Sequence, residues 1–151
     1  MKNDVCLTTN EKRSGTLHLT QKVDYGMFLL SAIATQGNQV PQSLQVVADE
    51  HHLSFSFLQQ VARQLRQAGL LTSVRGKSGG YRLTKSADEI SIKEVIEALE
   101  GAVSVVDCTS DVGHVCPRAT TCTMRKKMKK INDEIKDVLH TKTISHFIDK
   151  S

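Results

Sequence analysis

Apolar residues in the first third of the chain recur at the three- and four-residue spacing of amphipathic helices. A first helix is predicted to begin after Thr20, a residue type that caps helix N-termini, and to stop at Gly37. A second helix follows Ser43 and runs from residue 44 to about residue 50. The pattern therefore predicts two helices separated by a short turn.

A third helix is predicted to begin at Ser54 or Ser56, the latter in a capping box with Gln59, and to end at Gly69. Its buried stripe comprises Leu58, Val61, Ala62 and Leu65. Its opposite, polar face comprises Ser56, Gln59, Gln60, Arg63, Gln64 and Arg66. Such a face is commonly just solvated, but two helices joined by a tight turn also match the helix-turn-helix plan. In that plan, glutamine and arginine of the second helix can bond base edges in the major groove.

Strand-like alternation follows on both sides of a glycine-rich stretch at residues 76–80. It predicts a β-hairpin with Arg75 and Lys77 at a basic tip, next to Tyr81 and Arg82. A nucleotide site is disfavoured, because the glycine and lysine order of a phosphate-binding loop is absent and no helix opens after the glycines. The hairpin is instead typical of a wing that meets DNA phosphates or the minor groove.

Two more helical patterns follow the hairpin. Residues 91–99 form a short amphipathic segment that Gly101 closes. Beyond the last cysteine, apolar residues alternate spacings of four and three, the seam of a helix that pairs with another helix, at Met124, Met128, Ile131, Ile135 and Val138. Packing onto its own domain is the alternative, but dimerisation is favoured because little core remains to be covered. In a last segment, Ile144, Phe147 and Ile148 are expected to share one side and to brace the dimer.

Composition limits the class of protein. With 151 residues, of which 39% are hydrophobic, the chain is long enough for one compact domain with an appended element. The formal net charge of +4 is mildly basic and favours nucleic acid as a partner if it is concentrated on one face. No apolar run approaches the length that crosses a bilayer, and the polar N-terminus lacks a signal core. We therefore expect a reducing cytoplasmic setting without membrane contact, in which Cys6 is incidental.

The other three of the four cysteines are Cys108, Cys116 and Cys122, in a polar stretch that glycine and proline keep out of helices and strands. Buried filler cysteines would occupy periodic apolar segments, and a disulfide framework fits poorly with an odd number of thiols. Convergent thiolates suit zinc or an iron–sulfur cluster, which needs about four ligands. The stretch is therefore one ligand short.

Four stretches, in this order, give the chain a family resemblance. They are Leu19-Thr-Gln-Lys-Val-Asp-Tyr25, Ser54-Phe-Ser-Phe-Leu-Gln-Gln60, Ser73-Val-Arg-Gly-Lys-Ser-Gly-Gly-Tyr81 and the cysteine stretch from Asp107 to Cys122. From about residue 18 to the C-terminus, the chain resembles the IscR-like family of bacterial winged-helix transcription regulators. Its Cys-Pro-Arg and Asp-Tyr-Gly sequences also resemble regulators of the SUF cluster-assembly system.

The resemblance implies a homodimer that binds a palindromic operator in double-stranded DNA and senses through an iron–sulfur cluster, either 2Fe-2S or 4Fe-4S. It implies that Cys108, Cys116 and Cys122 are the cluster thiolates, and that Arg75 is the minor-groove arginine of the wing. Operator-reading candidates are Ser54, Ser56, Gln59 and Gln60. The full set expected to contact DNA adds Arg63, Arg66, Lys77 and Tyr81.

The fourth ligand separates branches of the family. Members that sense cluster supply often place a histidine three residues after the last cysteine, and here that residue is Arg125, which cannot bind iron as a cation. In nitric-oxide-sensing relatives an aspartate of the first helix is the ligand, and this chain has Asp24 at that position. The resemblance therefore favours Asp24, from the partner subunit, with His114 and His146 as further candidates.

The expected fold is mainly α. It comprises a disordered arm (1–17), a winged helix-turn-helix DNA-binding domain (18–101), a cluster-binding loop (102–122), and a dimerisation helix with a C-terminal segment (123–151). The expected function is a cluster-sensing repressor of iron–sulfur assembly or of redox and nitrosative stress genes, without a small-molecule substrate. A regulator with structural zinc or a cluster-free thiol switch is the alternative. A redox enzyme or electron carrier is disfavoured, because no catalytic set or Cys-x-x-Cys pair is present.

Overall fold

The computed structural model describes residues 19–37, 40–105, 118 and 120–148. Within these residues it contains five α-helices, one antiparallel hairpin and a short 3₁₀ turn. The elements are α1 (Gln21–Thr35), α2 (Leu44–Glu50), α3 (Phe55–Gln67), β1 (Leu71–Val74), β2 (Gly80–Leu83), α4 (Ile92–Glu100), α5 (Arg125–Thr141) and the turn at Ile144–Phe147. This arrangement confirms the mainly helical winged helix-turn-helix that the sequence predicts. No helix among the described residues is both long and apolar enough to cross a bilayer.

Side-chain caps explain where the first three helices begin. Thr20 and Ser43 cap α1 and α2, as predicted. Ser54 caps α3, because its backbone is extended and its Oγ accepts the N–H of Phe57 at 3.5 Å. Ser56 lies inside the first helical turn, so the capping box predicted for it is wrong.

Helix α1 lies at the centre of the core and packs against α3, α4, β2 and the 3₁₀ turn. The largest fully buried side chains are Leu29, Leu30, Ile33, Leu58, Leu65, Leu71, Ile90 and Ile144. Burial of apolar surface is the main favourable term in folding. Because the apolar stripe of α3 is turned toward α1, the polar stripe of α3 faces outward.

The hairpin is joined to the helical domain just before α2. Gln42 exchanges two backbone hydrogen bonds with Tyr81, each of 2.9 Å, and so extends the sheet beyond the hairpin. Gly80 permits this approach, because a β-carbon there would collide with the Gln42 carbonyl. The wing is therefore fixed to the entrance of the helix-turn-helix.

Helix α4 is anchored at its N-terminus. Ser91 and Glu94 form a reciprocal capping box, in which Glu94 accepts the Ser91 N–H at 2.9 Å. Glu94 also accepts a hydrogen bond from Lys85 Nζ at 2.6 Å, so the carboxylate ties the segment after β2 to α4.

The C-terminal turn belongs to the core of its own domain. Ile144 is fully buried, and its N–H donates to the Ile90 carbonyl at 2.9 Å. Phe147 is 54% exposed, and Ile148 is only partly buried against the core. Ile144 and Ile148 thus lie against the core and Phe147 does not, so the prediction that all three share one side is wrong for Phe147.

Helix α5 contacts α4 but buries little of its own surface. Asn132 is the buried residue of this helix, with 1% of its surface exposed. The predicted apolar seam is largely open: Met124, Ile131 and Val138 are 54%, 44% and 58% exposed. An amphipathic helix with an open apolar seam needs a further surface to cover it.

The Glu94 cap predicts a pH-dependent stability. Partial burial raises the pKa of Glu94, but the hydrogen bonds from Lys85 and Ser91 outweigh it and hold the pKa of the carboxyl below its ordinary 4.5. The stabilisation is therefore present above pH 4.5 and is lost as the pH falls through the lowered pKa. Glu94→Gln should reduce the free energy of unfolding at neutral pH by up to about 1 kcal/mol, since the pair is partly exposed.

Urea unfolding at neutral pH, and again below the ordinary carboxyl pKa, measures this effect. The difference between wild type and Glu94→Gln should shrink in acid, where both side chains are neutral. Glu97→Gln removes one carboxylate from the same helix without touching the cap and corrects for net charge. A difference that stays constant in acid would show that the charge of Glu94 contributes no stability.

Candidate DNA interface and cysteine segment

An open polar groove of about 660 Å³ lies between α3 and the hairpin. Six side chains line it: Ser56, Gln59, Gln60, Arg63, Arg66 and Tyr81. We call this surface the α3 groove. Tyr81 comes from β2 and the other five from the outward face of α3. All six are residues that the sequence predicts to contact DNA, and the fold brings them together.

The groove is positively charged and its charge is not neutralised within the described chain. Arg63 and Arg66 form no ion pair with any described residue. The Arg66 guanidinium donates to Ser73 Oγ on β1 at 3.4 Å, which holds it beside the hairpin. The charge of both guanidinium groups is therefore available to an anionic ligand such as a phosphate backbone.

The wing extends the basic surface beyond the groove. Arg75 and Lys77 are exposed at the hairpin tip, on either side of Gly76. Gly76 has a φ of 125°, a conformation that residues with a β-carbon rarely adopt. The glycine thus permits the sharp reversal that places two cations at the tip.

The N-terminus of α3 is held by a residue that the sequence analysis did not assign to the site. The Ser54 N–H donates to the Tyr25 hydroxyl on α1 at 3.3 Å. Ser54 does not line the α3 groove, but its Oγ lies 3.3 Å from that of Ser56, which does. A buried tyrosine usually finds a partner for its hydroxyl, but the sequence gives no sign of which one.

The proposed thiol ligands are only partly within the described residues. Cys122 is half-buried in the turn before α5, and its N–H donates to the Arg118 carbonyl at 2.8 Å. Cys108 and Cys116 lie outside the described residues, as do Cys6 and His114. Among the described residues, no three His, Cys, Asp or Glu side chains are arranged to hold a metal ion. The ligand set therefore stays a prediction from the sequence.

The other candidate ligands have different surroundings. Asp24 is exposed in the first turn of α1, where the helix dipole also favours a carboxylate. His146 Nδ1 lies 3.3 Å from the Thr143 N–H that donates to it, so this ring nitrogen serves the C-terminal turn. Arg125 is the first residue of α5. The Asp24 carboxylate forms no hydrogen bond or ion pair with another described residue, whereas one of the two ring nitrogens of His146 is already engaged.

Asn132 fixes the entrance of the cysteine stretch. Its Oδ1 accepts the Val105 N–H at 2.9 Å, and Val105 precedes Cys108 by three residues. Cys122 ends the stretch three residues before α5 begins at Arg125. Val105 and Cys122 therefore both lie next to α5, and nothing in the sequence marks Asn132 for the contact with Val105.

The two halves of α5 carry opposite charge. Its N-terminal half holds the exposed cations Arg125, Lys126, Lys127, Lys129 and Lys130. Its C-terminal half holds the exposed acids Asp133, Glu134 and Asp137. This order is the reverse of what the helix dipole favours, so it does not serve the stability of an isolated helix.

A family profile, described as Rrf2, an iron-dependent transcriptional regulator, matches residues 19–150. The chain belongs to this family. It is 35% identical over 109 residues to the protein rrf2 of Nitratidesulfovibrio vulgaris, covering 72% of each chain. It is 31% identical to the HTH-type transcriptional regulator IscR of Pectobacterium carotovorum, covering 87% of this chain and 79% of that one.

Among solved structures, CymR (YrzC), the global cysteine regulator of B. subtilis, resembles the chain with a TM-score of 0.71 and 30% identity. The alignment covers 90% of this chain and 99% of CymR. The Rrf2-family chain is accordingly a transcription regulator and not an enzyme, as the sequence predicts. Its winged helix-turn-helix is a DNA-binding unit, and the α3 groove with the wing is the candidate surface for that binding.

Proposed function

We propose that this Rrf2-family regulator reads a palindromic operator as a homodimer, and that its cysteine stretch carries an iron–sulfur cluster whose state sets operator affinity. The regulator acts as a repressor of iron–sulfur assembly genes or of redox and nitrosative stress genes. The observation that carries the DNA part is the α3 groove, in which base-reading amides and phosphate-binding guanidiniums lie side by side.

Within this interface, the roles divide by chemistry. Gln59 and Gln60 carry amides that can bond an adenine edge through two hydrogen bonds. The wing cations Arg75 and Lys77 meet the phosphate backbone or the minor groove, where they give affinity without reading sequence. The operator is palindromic because a two-fold symmetric dimer presents two copies of α3.

The donor set fits an iron–sulfur cluster in its chemistry. Cys122 is a free, half-buried thiol at the edge of a basic helix, where a thiolate and the net negative charge of a thiolate-bound cluster are favoured. When bound, the cluster supplies a group that oxidants, nitric oxide or iron shortage can modify or remove. Asp24, exposed on α1, takes the fourth position as a hard oxygen donor, which a signal molecule displaces more easily than a thiolate.

The likeness to CymR favours a second candidate. CymR is described as a global cysteine regulator and not as a cluster-binding one, so a relative of this fold is named for a signal other than a cluster. The same three cysteines would then form a thiol switch or hold structural zinc. The visible colour of the protein separates the candidates, because zinc and free thiols are colourless.

The open seam of α5 supports the homodimer. Ile131, Ile135 and Val138 line an apolar depression on a helix that its own domain leaves uncovered. A second copy of α5 running antiparallel covers this seam and places the basic half of each helix against the acidic half of the other. Parallel pairing would instead bring like charges together.

The division of roles in the DNA interface predicts different effects of two kinds of substitution. Arg75→Ala or Lys77→Ala should weaken binding to all duplexes alike and reduce the salt slope by about one each. Gln60→Ala should cost about 1–3 kcal/mol of discrimination at one base pair of each half-site. Fluorescence anisotropy measures both effects, using a duplex that the wild-type protein selects from a random-sequence pool and a scrambled duplex of equal length.

Matched variants control this experiment. Gln36→Ala removes an exposed glutamine at the end of α1, and Lys93→Ala removes a cation from α4; both lie outside the interface. Neither should change the ratio of affinities for the two duplexes. An equal loss on both duplexes for Gln60→Ala would show that Gln60 does not read bases.

The cluster assignment predicts that each of three thiols is needed for colour. Cys108→Ala, Cys116→Ala and Cys122→Ala should each abolish the visible absorbance and iron content of anaerobically purified protein, because two thiolates hold a cluster poorly. Each variant should stay folded and helical, since apolar residues of α1, α3 and α4 build the described core and Cys122, the described thiol, lies outside it. Cys6→Ala is the matched control and should keep the wild-type spectrum.

Asp24→Ala extends the same measurement to the fourth position. It should retain iron but shift the spectrum and narrow the difference in DNA affinity between cluster-loaded and cluster-free protein. Full iron in Cys116→Ala would remove that residue from the ligand set. Colourless wild-type protein, purified without oxygen and containing zinc or no metal, would select the second candidate.

The dimer proposal predicts that a charge in the α5 seam separates the subunits. Ile131→Glu should convert the dimer to a monomer, because it places two carboxylates in an apolar pairing surface. Sedimentation equilibrium measures the mass. Val46→Glu on α2 is the matched control, since Val46 is 43% exposed and Ile131 is 44% exposed. A mass that responds equally to both variants, or to neither, would place the subunit contact elsewhere.

A further inference from the structure

Tyr25 contacts the start of α3 at two points. Its hydroxyl accepts the N–H of Ser54, the N-cap residue, at 3.3 Å. Its ring meets the ring of Phe57 edge to face, with centroids 4.9 Å apart and an interplanar angle of 81°. Edge-to-face pairs of this kind are a favoured aromatic geometry. One side chain of α1 thus holds both the cap and the first turn of the helix in the DNA interface.

The Ser54 N–H has no partner inside α3, because the N-cap lies before the first helical residue. The hydroxyl of Tyr25 supplies that partner from an element 29 residues earlier in the chain. Ser54 in turn caps Phe57, and its Oγ lies 3.3 Å from Ser56 Oγ. The hydroxyl therefore contacts α3 at the residue where the helix begins.

This placement matters for reading bases. Ser56, Gln59 and Gln60 lie within the first two turns of α3, so a displacement of Ser54 also displaces these three residues. Hydrogen bonds most often have donor–acceptor distances of about 2.7–3.2 Å, so a bond to a base edge weakens when its donor is displaced. Phosphate contacts made by long, flexible cations accept a wider range of positions. A small shift of α3 should therefore cost sequence discrimination before it costs general affinity.

We propose that Tyr25 is a positioning residue for DNA recognition: its hydroxyl sets the register of α3 and thereby the sequence discrimination of the α3 groove. Tyr25 is 9% exposed and lies in the core, so it acts through Ser54 and not by touching DNA. The inference rests on the proposed role of α3 as the helix that reads the operator.

Tyr25→Phe tests the inference, because it deletes the hydroxyl and keeps the ring that packs on Phe57. Affinity for the selected duplex should fall about three- to tenfold, the effect of one lost hydrogen bond. Affinity for the scrambled duplex, and the salt dependence of binding to it, should stay at wild-type values. Hydrogen exchange of the Ser54 amide should become faster in the variant.

Thr84→Val is the matched control at the other end of α3. The Thr84 hydroxyl donates to the carbonyl of Gly69, just after α3, at 2.5 Å. Thr84→Val also removes one hydroxyl bond and some stability, but it leaves the N-terminus of α3 untouched. It should lower the thermal midpoint without changing the ratio of affinities for the two duplexes.

The possible outcomes are separable. A Tyr25→Phe protein with a lower thermal midpoint and an unchanged ratio would reduce the hydroxyl to a role in stability and overturn the inference. An equal loss on both duplexes would overturn it as well. If wild-type protein selects no sequence from the random pool, the proposed operator reading fails instead, independently of Tyr25.

Discussion

Gly26 lies where α1 crosses α4, and a β-carbon at this position would come within 2.6 Å of Leu99 Cδ1. The absence of a side chain lets the two helices approach closely, with Val95 and Val61 also lining the contact. Because α1 packs against α3 and β2 as well, this close crossing sets the distance between α4 and the elements that form the α3 groove. The geometry of the α3 groove therefore depends on Gly26, a core residue that does not line the groove.

Because the core is centred on α1, the outward face of α3 can carry polar side chains without loss of core packing. Leu29, Leu30 and Ile33 of α1 are fully buried, and α1 packs against α3 from behind. The outward face of α3 is therefore not needed for stability, and its amides and guanidiniums can be chosen for binding. Helix α5 is the opposite case, since its apolar seam is exposed and its one buried residue is the polar Asn132.

Much of this fold could be predicted from the sequence, because local signals determine it. Thr20, Ser43 and Ser91 precede apolar periodicity, and each begins a helix in the structure. The glycine-rich stretch likewise becomes the hairpin tip. The six residues of the α3 groove can be predicted in the same way. The polar stripe of an amphipathic helix faces away from the core, and a hairpin beside that helix adds residues to the same surface.

The features that sequence reasoning missed depend on contacts between distant residues. Tyr25 and Ser54 are 29 positions apart, and Val105 and Asn132 are 27 apart, so no local pattern pairs them. Ile144, which the sequence predicts to brace the dimer, is instead buried in its own domain for the same reason. Its burial comes from backbone bonds to the segment at Ile90, which periodicity in the last ten residues does not reveal.

The charged residues of the α3 groove and the wing indicate which side chains would supply affinity and which would supply specificity in the proposed interface. Neither Arg63, Arg75 nor Lys77 forms an ion pair with any described residue. These cations therefore need not break an ion pair within the described chain before they bind a phosphate. Each phosphate contact can then release a DNA counterion without an opposing cost. The attraction between these cations and the phosphates would favour binding to DNA of any sequence.

In this proposal, discrimination between DNA sequences comes from groups that hydrogen-bond to bases. Such groups must be positioned accurately, because a hydrogen bond weakens when the donor and acceptor are displaced. Gln59 and Gln60 can meet this requirement only if α3 itself is fixed. In the proposed interface, the long basic side chains supply affinity, whereas the short polar ones depend on the cap at Ser54 and on the helix behind it. The proposal thus assigns affinity and specificity to different parts of one surface, and it assigns the core behind α3 mainly to specificity.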